Sequence, residues 1–267
     1  MQMMKMNVTP EMAKSWLGSV NVANRSISPQ AVRKYADDMV NGAWRQTHQN
    51  AIAFYDDGMI ADGQHRLAAV VASGVSVEMF VATGLPREHS AVIDQGRPRS
   101  AADAIRIASD GAMEKYTAYA VAIVRMVYAA EVQASASISV TRVWQLIEQM
   151  KDSIEYSCTS LVKAAGGTKN APTRAAVAVA AMHLDHRKLD QFCRVLMTGM
   201  PECPLDQTVI AIRNRLMIET HKKGGSARIE IYKMVLRAIK AYDDGQILVK
   251  PRATSEIAIK SGLFDEK

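Results

Sequence analysis

Residue types able to do chemistry gather in one short run, Asp62-Gly63-Gln64-His65-Arg66. An acid, a glycine, an amide, an imidazole and a guanidinium in succession suit work on an anion. Three apolar residues, Met59, Ile60 and Ala61, lead into the run, and a helical pattern that stops at Gly74 leads out of it. The run therefore reads as strand, tight turn and helix mouth. The first N–H groups of a helix lack intrahelical partners and lie at the positive end of its dipole, so phosphate can sit on them. Gly63 lets the backbone approach closely, and Arg66 can clamp an oxyanion with its forked guanidinium. His65 can serve as acid or base, phosphate donor or metal ligand, and Asp62 can hold Mg²⁺ or orient His65. An ordinary strand-to-helix turn with Asp62 as N-cap fits the same run, and both readings stay open on the residues alone.

A second unusual stretch is Asp94-Gln-Gly-Arg-Pro-Arg-Ser100. Gly96 and Pro98 exclude regular structure, so Arg97 and Arg99 project from a loop directly before a helix that Ser100 caps. This is a second phosphate contact or a solvated linker, and the residues alone favour the linker. His48 precedes a strand and is placed to reach the same pocket as His65. Asp56-Asp57-Gly58 reads as hairpin chemistry rather than an acid pair. His183 and His186 share a helix face without a third ligand, which argues against a metal there. Cys158, Cys193 and Cys203 are odd in number and widely spaced, the pattern of reduced thiols rather than of a disulfide framework or a zinc site. No Walker loop, nucleophile elbow or dinucleotide fingerprint occurs.

The elements that must position these residues are legible in outline. Thr9-Pro10 and Ser28-Pro29 each read as a cap followed by proline, opening helices that stop near Gly18 and Asn41-Gly42. Residues 50–55 alternate as a strand, 59–61 return as its hairpin partner, 64–73 form a helix with Leu67, Val70 and Val71 inward, and 77–82 form a further strand. From Ala112 the pattern is helical: about 113–131, 139–151, 153–165, 172–185, 188–198, 206–221 and 226–243, with glycine and proline at the breaks. Residues 247–249 suit a short strand or an extended docking arm. The fold class is thus α+β: a small mixed-sheet domain over 1–108, then an all-α helical domain over 109–267.

The 267 residues carry a net charge of +6, and 48% are hydrophobic. Residues 1–110 hold 11 basic and 11 acidic side chains, leaving 22 and 16 for the remainder, which therefore carries the whole excess. A neutral first part and a basic second part suit a ligand-binding domain joined to one that meets a polyanion such as DNA. No apolar run reaches the length of a membrane span, and the first residues lack the features of an export signal, so a cytoplasmic protein without membrane partners is expected.

The run 60–67 together with the preceding stretch 36–44 at the end of the second helix resembles the ParB/sulfiredoxin-like superfamily. More narrowly it is similar to ParB-like proteins of bacteriophages and mobile elements that carry an Asp-Gly-Gln-His-Arg motif. Their downstream Asp-x-Gly-x-x-Arg-(Ser/Thr) element is matched here by Asp94, Gly96, Arg99 and Ser100. The resemblance covers about residues 7–108. It implies phosphate chemistry, with Gly63, Gln64, His65, Arg66, Arg97 and Arg99 as phosphate or nucleotide binders. Asp62 and His65 become candidate catalytic residues and Asp62 a candidate metal ligand. The implied cofactors are Mg²⁺ and a nucleoside triphosphate, ATP or CTP, and the implied setting is the cytoplasm of a bacterial host. Sulfiredoxins carry a catalytic cysteine inside this motif, whereas position 64 is Gln, so reduction of a sulfinic acid is not expected. Partition proteins carry Gly-Glu-Arg-Arg here, so neither centromere binding nor CTP specificity transfers.

Three expectations follow. The first is a nucleotide-binding enzyme or switch, an NTPase, phosphotransferase or nuclease, acting on or near DNA, with a homodimer as one possible assembly. The second is a non-catalytic DNA-binding module in which the same arginines touch DNA phosphates. The third is a takeover factor whose basic helical domain binds a host protein.

Overall fold

The computed structural model describes residues 1–20, 26–87, 101–108, 116–132, 138–218 and 224–264. Arg97, Arg99 and the rest of the 94–100 loop lie outside them. The chain groups into two compact units, Met1–Arg99 with Ser137–Arg142, and Ser100–Ala136 with Val143–Lys267.

The first unit contains β1 (Gln2–Val8), α1 (Pro10–Ser19), α2 (Pro29–Val40), a 3-10 turn (His48–Asn50), β2 (Ile52–Tyr55), β3 (Ile60–Asp62), α3 (Gln64–Ser73) and β4 (Val77–Leu85). The four strands form a mixed sheet in the order β1-β4-β2-β3. β2 and β3 are an antiparallel hairpin, α3 carries the chain back, β4 pairs parallel to β2, and β1 closes the edge antiparallel to β4. Both proline-led helices start where their caps dictate. The Thr9 hydroxyl accepts from the N–H of Met12, and that of Ser28 from the N–H of Ala31. Between β2 and β3 the Asp57 carboxylate accepts from the N–H of Met59 and pairs with Arg87, so this aspartate works for the turn.

Ile52, Phe54, Ile60, Leu67, Val70, Met79 and Val81 form the core where helices meet sheet, with Trp16 edge-on to Phe54 at 5.2 Å. Each fully buried aliphatic contributes roughly 1.5–3 kcal/mol, which fixes α3 against the sheet and hence the turn that leads into it. Val71, expected to face inward, is 38% exposed, because the buried stripe of α3 runs through Leu67, Ala69 and Val70. Ser139 belongs to this unit too, donating its hydroxyl to the Asp38 carboxylate of α2.

The second unit is helical: α4 (Ala101–Ala108), α5 (Thr117–Glu131), α6 (Val140–Gln149, which begins among the first unit's residues), α7 (Lys151–Ser160), α8 (Ala171–Ala181), α9 (His186–Thr198), α10 (Gln207–Ile218) and α11 (Gly225–Asp243). α8 packs against α5, α7 and α11, and its small residues from Ala175 to Ala180 are all fully buried, allowing neighbouring helices close approach. Arg174 at its start is also buried and donates to the carbonyls of Ser157, Leu161 and Lys169, which ties the end of α7 and the segment after it to α8. Residues 247–249 form no strand. The segment is held where the N–H of Leu248 donates to the Thr208 hydroxyl at 2.8 Å. Among the described residues, no helix is long and apolar enough to cross a membrane.

Candidate functional site

The hairpin delivers Asp62 at the end of β3, and Gly63 then turns the chain with φ 107° and ψ 3° before α3 begins. Glycine is required there twice over. Its positive φ disfavours any side chain, and a Cβ would lie 2.6 Å from Ile52 Cδ1 and 3.2 Å from Ile52 Cα. The turn is thus pressed against β2, and Gly63 itself stands as N-cap of α3 with no side chain capping the helix. Asp62 is therefore not the cap. Its Oδ1 accepts from the N–H of Gly63 at 2.7 Å, and its Oδ2 pairs with Arg66 at 2.8 Å.

Arg66 folds back one helical turn to make that pair and donates from the same nitrogen to the carbonyl of Ala51 at 3.0 Å. Its side chain is 13% exposed, and its Nε is buried without a partner. Arg66 thus stitches α3 to the strand before it, while Asp62 cancels its formal charge. Next to it, Nε2 of His65 accepts from the N–H of Ser28, the N-cap of α2, at 3.0 Å. A ring nitrogen that accepts carries no proton, so the imidazole in this contact is neutral, with its hydrogen on Nδ1.

That bond brings two helix starts together. Between them lies a cavity of about 490 Å³ walled by Asp62, Gly63, His65 and Arg66 on one side and by Ser26, Ser28, Ala31 and Tyr35 on another. Gln49 and Asn50 of the 3-10 turn complete it. Tyr35 is steadied by Trp44, whose ring stands edge-on at 6.0 Å. Of the residues singled out in the sequence, Asp62, Gly63, His65 and Arg66 meet here. Gln64 does not line the cavity: its side chain is only 5% exposed, so any contribution to an anion comes through its place in the first turn of α3. His48 is exposed and is not part of the wall, although its neighbours Gln49 and Asn50 are.

Ser26, Ser28, Tyr35, Gln49 and Asn50 were not identified from the sequence. In the sequence Ser28 is recognisable as a helix cap, and nothing in the linear pattern shows that α2 packs its start beside that of α3. The Ser28-Pro29 opening, which marks a helix N-terminus, is the one sequence signal that bears on it.

The cavity supplies hydroxyls, amides, one imidazole and one guanidinium, a donor set suited to phosphate oxygens. For a divalent cation it offers one carboxylate, Asp62, and no group of three metal-binding side chains exists among the described residues. A chelating site for a free ion is absent there. Mg²⁺ carried in by phosphates needs only one or two protein carboxylates, and a single aspartate meets that requirement. His183 and His186 each face a backbone carbonyl, of Ser261 and Ala181 respectively. Compared with protein-family models, curated proteins and solved structures, the chain matches none.

Proposed function

We propose that the first unit is a phosphate-binding domain of the ParB/sulfiredoxin-like kind and that its cavity takes a nucleoside triphosphate, ATP or CTP. The observation that carries this reading is the convergence of two helix N-termini, those of α2 and α3, on one polar cavity that also contains Arg66. Two positive dipole ends attract an anion, and the Ser26 and Ser28 hydroxyls add donors around it. The buried, unpartnered Nε of Arg66 costs about 1–3 kcal/mol, a cost relieved if the guanidinium turns from Asp62 onto a phosphate. Mg²⁺ would be held by Asp62 together with the phosphates and would offset their charge.

Turnover asks more of these residues than binding does. Asp62 has to release Arg66 before it can hold a metal or a nucleophile, and His65 has to release Ser28 before it can protonate a leaving oxygen. The reading is therefore of a binding site first, with hydrolysis or phosphoryl transfer following only from that rearrangement.

Isothermal titration of ATP, CTP, GTP and ADP with Mg²⁺ tests it. One nucleotide binds at submillimolar concentration, and Arg66→Ala weakens it by about tenfold or more. Because Arg66 also braces the turn, Ala31→Phe provides a second variant: it fills the cavity from α2 without touching the turn. Absence of binding by every nucleotide at millimolar concentration sinks the proposal. A second reading, contact between the basic helical part and DNA phosphates, is favoured by the charge excess of residues 111–267. It requires an affinity that falls steeply with salt, and a flat salt response defeats it.

A further inference from the structure

The second unit has a cavity of its own, about 290 Å³, between α5 and the first turn of α11. Its floor is apolar: Val121 and Met126 are almost wholly buried, and Ile229 of α11 closes the far side. Small residues make the room, since Ala118, Ala122 and Ala129 recur along one face of α5 and none reaches far from the backbone. Two cations belong to the same lining, Arg125 of α5 and Arg228 of α11. Neither side chain has an ion pair or hydrogen bond to any described residue, and no acidic residue is among the described residues that line the cavity. α11 adds a third positive feature. It opens at Gly224 with no side-chain cap, and a Cβ built on Gly225 would meet nothing within 4 Å, so the start of the helix is open to the cavity.

Two guanidinium groups without a partner among the described residues stand beside an apolar trough. An anion whose body is hydrocarbon answers both features at once, the head taken by the arginine forks and the body by the trough. Size narrows the class. At about 290 Å³ the cavity lies at the small end of ligand pockets, roughly 300–1,000 Å³, which suits a short hydrocarbon body beneath the head group. Met126, flexible and polarizable, adapts to a linear chain. We infer that this trough binds a medium-chain organic carboxylate.

The test is titration of the full chain with octanoate, with octanol (body without charge) and acetate (charge without body) as controls. Octanoate binds saturably at one site, and each control binds at least about tenfold more weakly. The double variant Arg125→Gln, Arg228→Gln weakens octanoate by about tenfold or more at an unchanged thermal midpoint, because both side chains are exposed and unpaired. Ala122→Leu fills the trough and removes binding. Octanol binding as well as octanoate, acetate binding as well as octanoate, an unaffected double variant, or no binding of octanoate at millimolar concentration each overturns the inference.

Discussion

Replacing Gly63 by alanine perturbs the turn on which the whole candidate site depends, and the cost divides into two parts. The backbone part comes from φ 107°, where an L-residue pays about 1–2 kcal/mol. The packing part comes from the new methyl, which would sit 2.6 Å from Ile52 Cδ1 and 3.2 Å from Ile52 Cα. The side-chain end can rotate aside, but the main-chain atom of a central strand cannot, and overpacking of this kind costs about 1–3 kcal/mol. The sum is a loss of about 2–5 kcal/mol from the first unit. Gly74→Ala is the matched control, since φ there is 67° and a Cβ meets nothing within 4 Å, leaving only the backbone part. Urea unfolding followed by tryptophan fluorescence measures both. In a Trp144→Phe background the remaining tryptophans, Trp16 and Trp44, lie in the first unit and report on it alone. If Gly63→Ala costs no more than Gly74→Ala, the close approach of the turn to β2 is refuted, and with it the wall of the cavity.

Two further outcomes concern ionisation and thiols. Burial holds the carboxyls of Asp37 and Asp38 above the ordinary carboxylate range, with the Ser139 hydroxyl opposing the shift at Asp38. The folded first unit therefore takes up these protons at higher pH than the unfolded chain, so their contribution to stability grows as pH falls from the raised folded value to the ordinary one. Asp38→Asn reduces that slope in a series of urea midpoints, and an unchanged slope rules out Asp38 as its source. Burial also raises the thiols of Cys158 and Cys193, whereas Cys203 is exposed. A thiol reagent at neutral pH should modify one cysteine in the native protein and all three in denaturant; rapid native reaction of a second would contradict the packing around α7 and α9.

Local chemistry in this chain was legible where one residue type has one job. The hydroxyl-proline pairs at Thr9 and Ser28 and the stop at Gly74 place helix ends to within a residue, because a cap or a positive φ is satisfied by neighbours in sequence. β1 was not legible: methionine-rich and without clean alternation, it is a strand because β4 offers it hydrogen bonds from far along the chain. The same division holds at the site. Asp62, Gly63, His65 and Arg66 could be read from adjacency, but their mutual occupation could not, since Arg66 paired with Asp62 and His65 accepting from Ser28 are facts of three-dimensional approach. Tyr35, Gln49 and Asn50 entered through tertiary packing alone.

The place of β1 at the sheet edge has a consequence for synthesis. Gln2 lies opposite Thr83 and Val8 opposite Val77, partners about 70–80 residues apart in the chain. The β2–β3 hairpin and α3 complete themselves from nearby residues as they emerge. β1, made before them, has nothing to pair with until β4 appears. At about 5–20 residues per second that wait is about 4–16 s, during which Met3, Met4 and Met6 stand in solvent on an unpaired strand. The first strand of this sheet in chain order must wait for β4 to join it, so the nascent chain passes through a stage in which this methionine-rich segment is open to whatever binds extended apolar chain.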